Sequence, residues 1–200
     1  EIPFYPQEIS IRRRRSQNRG YVIRVRSISQ IPSDLSYVRR VILPMGVGEE
    51  TVKYLKDKKI QPAVEVPAAI FGGDDVVYNS LVKARKNGIS LAAVCSLDGA
   101  AIAKKAGMKL CALPGTNIFN TFSLDEFARL GFTDAILSTE LKIAQCASLG
   151  GKLPRGVFAY GRLPLRQTRN CPVKNGTTCD KCRKHGSLTD RMGVTFPVEC

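Results

Sequence analysis

The sequence predicts an α/β fold, a TIM-like (β/α) barrel, complete or incomplete, followed by a cysteine-rich irregular tail. Three observations carry that expectation. Between Gly20 and Gly161 short β-branched runs alternate with amphipathic stretches of about 10 to 15 residues, the pattern of repeated βα units. Most of the runs are almost entirely apolar, as parallel strands covered on both faces must be. After Arg162 that pattern stops, and four of the seven cysteines fall in the last 30 residues.

Seven strands are expected, YVIRVRS (21–27), RVILP (40–44), AVEVP (63–67), ISLAAVC (89–95), KLCALP (109–114), DAILS (134–138) and GVFAYG (156–161). The helices between them show an apolar face at three-to-four spacing, Val52 and Leu55 in one, Leu124, Phe127 and Leu130 in another. Asp74 and Asp75 open a helix whose basic end is closed by Gly88. Ser123 with Glu126 reads as a capping box, closed by Gly131. Seven steps of roughly 20 residues favour a barrel over a doubly wound sheet. Three segments follow: a basic segment or linker over 1–19, the barrel-like domain over 20–161, and a cysteine-rich metal-binding segment over 162–200.

In a barrel the chemistry gathers at the carboxyl ends of the strands, where this chain has Pro44, Pro67, Cys95-Ser96, Pro114-Gly115, Ser138-Thr139-Glu140 and Tyr160-Gly161-Arg162. Pro and Gly there suit a shaped pocket, or they merely end strands and start turns. Glu65 and Glu140 stand near strand ends as a formal carboxylate pair, with no sign that they meet.

Composition sets the outer limits. Of 200 residues 44% are hydrophobic and 24% charged, which excludes a collagen-like or intrinsically unfolded chain. No apolar run reaches the roughly 20 residues of a membrane span, and the N-terminus lacks a signal-peptide layout, so a cytoplasmic location is expected. A chain that opens at Glu1 and stops at Cys200 after an apolar stretch reads as a segment of something longer, completed by more chain or a partner subunit. Lys plus Arg is 31 against 17 Asp plus Glu, a net charge of +14 that draws polyanions. Cations concentrate at both ends, with Arg12 to Arg15, Arg19, Arg24 and Arg26 in the first 26 residues. RNA is therefore an expected partner, with the tail residues Arg162, Arg166, Arg169, Lys174, Arg183, Lys184 and Arg191 as candidate contacts. Tyr5, Tyr21 and Tyr160 are candidates for base stacking. The bland alternative for the RRRR run is a solvated terminal segment.

Cys95, Cys111 and Cys146 sit singly in apolar segments, as small buried hydrophobes do. Cys171, Cys179, Cys182 and Cys200 are spaced C-x7-C-x2-C-x17-C among Gly, Pro, Lys and Arg. The tail has too few large apolar residues to hold itself by burial, so a metal staple is expected. Four thiolates suit a 4Fe-4S cluster, or zinc as the alternative; a single C-x2-C knuckle leans toward iron. His185, the only histidine, reads as a loop residue, which leaves no Ser-His-Asp or H-E-x-x-H chemistry elsewhere in the chain.

GRLPL (161–165), TRNCP (168–172), the Cys179–Cys182 pair and LTDRMGVTFPV (188–198) follow one another in an order that resembles the collagenase-like peptidases, group thirty-two of the peptidases of unknown mechanism. NIFNTFSLDEFARLGFTDAILSTEL (117–141) resembles that family's preceding segment. The resemblance implies a TIM-like barrel whose four cysteines, matched by Cys171, Cys179, Cys182 and Cys200, hold a 4Fe-4S cluster. It also implies pocket residues at Asn117, Asn120 and Glu140. Relatives of this kind support oxygen-independent hydroxylation of tRNA or rRNA, or of a ubiquinone precursor, with a prephenate-derived donor implicated. Others carry the peptidase name. The chain departs from many members where LPGTN (113–117) replaces a His-containing segment, and it resembles the second part of longer relatives. Hydroxylation of RNA is thus the expected function; a protein-cleaving peptidase, ubiquinone-precursor hydroxylation and a structural metal-binding subunit are the alternatives.

Overall fold

A computed structural model describes residues 20–172 and 185–199. The chain divides into two units, Glu1–Tyr160 and Gly161–Cys200.

The first unit holds seven parallel strands, β1 (Tyr21–Arg24), β2 (Val38–Leu43), β3 (Gln61–Glu65), β4 (Leu91–Val94), β5 (Lys109–Ala112), β6 (Phe132–Ile136) and β7 (Arg155–Gly156), hydrogen-bonded in that sequential order. Five helices cross between them: α1 (Glu49–Asp57), α2 (Asp74–Lys86), α3 (Leu97–Lys105), α4 (Thr121–Arg129) and α5 (Ile143–Ser148). Sequential order already argues against double winding, in which the order reverses at a switch point. Packing supplies a second argument. One buried cluster joins alternate strand residues such as Val41, Leu43, Val64 and Val94 to helix residues Val52, Leu55, Leu81 and Leu124. The opposite face carries Ile42, Ala63, Leu91, Ala93, Cys111 and Leu113, and no helix residue joins that cluster. All helices therefore lie on one face, as in a barrel.

The sheet is strongly curled. Arg40 on β2 donates from Nη1 and Nη2 to the two carboxylate oxygens of Asp134 on β6, each at 2.7 Å. Those strands are four steps apart, about 19 Å on a flat sheet at the usual strand spacing. Only curling brings them within one arginine's reach. Among the described residues β1 pairs only with β2 and β7 only with β6, so the barrel is incomplete.

Local chemistry explains most helix ends. Ser96 caps α3 by accepting from the Gly99 amide at 3.2 Å. Each of α1, α2 and α3 begins acidic and ends basic, in agreement with the helix macrodipole. The terminal cations also reach sideways. A Cβ on Gly88, the left-handed residue after α2, would meet the Lys56 Nζ at 2.3 Å, Arg85 reaches the Ala106 carbonyl at 3.5 Å, and Lys104 the Leu130 carbonyl at 3.5 Å. Each of α1, α2 and α3 thus places a cation beside the carboxyl end of the next helix.

Three expectations change. The helix after β5 starts at Thr121, capped by Asn120 rather than by Ser123 with Glu126: Asn120 Oδ1 accepts from the Ser123 amide at 2.7 Å, and Ser123 Oγ accepts in return from the Asn120 amide. The strand expected over 156–161 is only Arg155–Gly156; Val157, Ala159 and Tyr160 beyond it are exposed. The tail is not irregular throughout. β8 (His185–Thr189) and β9 (Thr195–Glu199) form an antiparallel hairpin whose turn is held by Asp190, its Oδ1 accepting from the Met192 and Val194 amides at 2.8 and 2.9 Å. Gly193 supplies the left-handed residue this turn needs.

Candidate functional site

Two charged groups punctuate the inner face, one at each end. Alternation along the strands puts Val22, Arg24, Arg40, Ile42, Ala63, Glu65, Cys111 and Asp134 in phase on that face. Toward the amino end lies the Arg40–Asp134 pair, its side chains 5% and 10% exposed. Gln61 Oε1 accepts from the Arg40 Nε at 2.9 Å, and Thr133 donates to Asp134 at 3.1 Å. Burial alone would lower the Arg40 pKa, yet the Asp134 carboxylate bonded to it holds the guanidinium above its ordinary value. Burial pushes the neighbouring Cys111 thiol up to about 12, with Arg40 pulling weakly the other way. This end is a closed, satisfied network.

The carboxyl end is open and chemically richer. Arg24 on β1 grips Glu65 on β3 with Nε and Nη2, each at 2.6 Å. The hydrogen bond to Glu65 raises the Arg24 pKa, against a smaller opposing effect of burial. Next to the pair stands Cys95, just past β4. Its thiol is raised first by burial and then by Glu65, and is drawn back by Arg24 and by the Gly115 amide. The approach of Gly115 is close enough to require glycine: a Cβ there would lie 2.8 Å from the Cys95 Cβ. Cys95 is thus half-buried beside an ion pair, not the small buried hydrophobe expected, whereas Cys111 and Cys146 are buried. The arrangement offers a guanidinium for an anionic group, a carboxylate and a protonated thiol.

Phe71, Leu97, Phe119, Phe122 and Ile143 are exposed on the segments leaving β3 to β6 at this end. Of the expected pocket residues, Asn120 is engaged in capping α4, Asn117 is exposed in a left-handed turn, and Glu140 is exposed with its amide donating to Ser138 Oγ. Of the formal carboxylate pair, Glu65 is held by Arg24 and Glu140 stands exposed. Arg40 and Asp134 are site residues that the sequence reading does not single out; their signal is a charged residue in phase with the inner face of an apolar strand.

In the second unit Cys171 is half-buried with a free thiol, and Arg162, Arg166, Arg169 and Arg191 are exposed. Cys179, Cys182 and Cys200, with Lys174, Arg183 and Lys184, lie outside the described residues. Among the described residues no three metal-ligating side chains converge. None of their helices is long and apolar enough to cross a membrane.

No family profile and no curated protein matches the chain. Among solved structures it is similar to the U32 peptidase Mk0906, at 13% identity and a TM-score of 0.45, over 78% of this chain and 72% of that one. That likeness shows neither an activity nor a site. The class defined by the described residues is a singly wound, incomplete α/β barrel, with a second, smaller unit over Gly161–Cys200.

Proposed function

We propose that the chain is an iron-sulfur protein of the collagenase-like peptidase kind that supports oxygen-independent hydroxylation of RNA. The observation that carries this reading is the spacing C-x7-C-x2-C-x17-C set within GRLPL, TRNCP and LTDRMGVTFPV, behind a barrel body. Cys171, Cys179, Cys182 and Cys200 would hold a 4Fe-4S cluster, whose contribution when bound is electron transfer to or activation of a hydroxyl donor. Cations at positions 174, 181, 183, 184 and 191 favour thiolates over thiols and offset an anionic centre. The donor is proposed to be a prephenate-derived carboxylic acid.

Anaerobic purification with iron, sulfide and zinc analysis tests the reading. About four irons and four sulfides per chain are expected. Cys179→Ala or Cys182→Ala should abolish them while Cys95→Ala leaves them intact. Stoichiometric zinc without sulfide would reduce the tail to a structural staple.

A further inference from the structure

We infer that the amino-terminal end of the barrel sheet is a track for single-stranded RNA, with bases stacking on Tyr21 and Tyr37 and phosphates running along Lys58, Lys59, Lys83 and Lys86. The inference rests on the reading of RNA as partner and assigns the binding to the barrel body instead of the tail arginines. Its first support is polarity. Parallel strands with returning helices place every helix start at the carboxyl end of the sheet and every helix finish at the amino end. Glu49, Glu50, Asp74, Asp75 and Asp98 therefore repel phosphate at one end, and lysines attract it at the other.

The second support is excess. A helix carboxyl terminus carries roughly half a negative charge, so one cation more than satisfies it. Lys56, Arg85 and Lys104 already serve neighbouring helix ends. Lys58, Lys59, Lys83 and Lys86 are exposed and form no ion pair among the described residues. Lys109 extends the line at the start of β5.

The third support is the pair of rings. Tyr21 opens β1 and Tyr37 directly precedes β2, their backbones joined by a 2.8 Å bond from the Tyr21 amide to the Tyr37 carbonyl. They are 65% and 74% exposed. Exposed rings beside a row of cations are what a single strand uses, since its unpaired bases stack while its backbone is neutralised. A duplex hides its bases and gains nothing from the tyrosines.

Fluorescence anisotropy of the full chain with a labelled single-stranded RNA, and with the matching duplex, tests this across salt. Replacing the four lysines (K58A/K59A/K83A/K86A) should lower the log-log salt slope by roughly 3, at about 0.7 for each phosphate no longer neutralised. Between 50 and 200 mM salt the wild type should then lose about 50-fold more affinity than the variant. Y21A/Y37A should weaken binding by about tenfold or more at constant slope, and Y21F/Y37F should restore it, because stacking needs the ring and not the hydroxyl. An unchanged slope in the lysine variant, wild-type affinity in Y21A/Y37A, tighter binding of the duplex, or loss of binding only in R162A/R166A/R169A would overturn the track and leave RNA as the partner. A wild-type slope near zero would remove RNA itself. Since all six side chains are exposed, circular dichroism of each variant should match the wild type.

Discussion

Removing the carboxylate of Asp134 should be the most damaging single change in the barrel body. The pair it forms with Arg40 is nearly sealed, at 5% and 10% side-chain exposure, and each guanidinium nitrogen facing the carboxylate has one oxygen at 2.7 Å. Asp134→Ala leaves Arg40 charged, buried and without a carboxylate, with only Gln61 and the Cys111 thiol beside it, and stranding such a charge costs about 3 to 5 kcal/mol. That is a large part of the roughly 5 to 15 kcal/mol by which domains are stable. With a urea m value of about 2 kcal/mol per molar, the midpoint should fall by about 1.5 to 2.5 M at unchanged m, followed by far-UV circular dichroism. The companion variant decides the cause. R40M/D134L removes both charges together and should lie within about 1 kcal/mol of the wild type or above it, since an apolar replacement of a buried pair is often neutral or stabilising. A loss below about 1 kcal/mol in D134A, or a double variant as weak as the two single variants summed, would refute the claim that an orphaned charge sets the penalty.

Cys95 should alkylate slowly with iodoacetamide at neutral pH, its thiol being held up by burial and by Glu65; E65Q should speed the reaction and R24M slow it further, read by mass spectrometry of the Cys95 peptide. A rate equal to that of a free thiol would contradict the geometry. Asn120→Ala should cost about 1 kcal/mol through loss of the α4 cap, measured by urea unfolding, against a smaller loss for Ser123→Ala. Cys111 predicts a pH dependence. Its folded pKa is raised to about 12, so the stability this protonated thiol contributes is complete below the ordinary thiol range and declines above it as the unfolded thiol ionises first. The decline continues up to about pH 12, at no more than about 1.4 kcal/mol per pH unit. Unfolding midpoints between pH 8 and 10.5 should fall less steeply in C111A than in the wild type.

The barrel body was legible because two-sided burial leaves a sharp mark. β2, β4 and β5 are runs with few or no exposed residues, as parallel strands covered on both faces are. Legibility failed where covering fails. Val157, Ala159 and Tyr160 continue an apolar run in sequence but are exposed, so composition promised a strand longer than the two residues that pair with β6. The start of α4 failed for another reason. Asn120 and Ser123 are both good capping residues three apart, and Glu126 stands three beyond Ser123, so two overlapping capping boxes fit one stretch of sequence. Only the bond actually formed decides between them. In the tail, Pro197 obscured β9, although a proline is tolerated on a strand paired along one edge.

The candidate site shows a deeper limit. Arg24, Arg40, Glu65 and Asp134 each interrupt an apolar strand, and a period of two places all four on the inner face. Two cations and two anions facing one interior must largely neutralise each other, since an unpaired charge there is costly. Which cation takes which anion is another matter. Arg24 and Glu65 are two strands apart, about 10 Å on a flat sheet, while Arg40 and Asp134 are separated by about 19 Å. Local sequence alone would assign Arg40 to Glu65 on the adjacent strand as readily as to Asp134. The observed partners follow from a displacement along the strands, Arg40 and Asp134 toward the amino end and Arg24 and Glu65 toward the carboxyl end, together with curvature that carries β6 back toward β2. Curvature belongs to the whole sheet and to the helices packed outside it. The functional consequence is that the open pair at the carboxyl mouth, with Cys95 beside it, depends on every intervening strand being in register, and no short stretch of sequence records that.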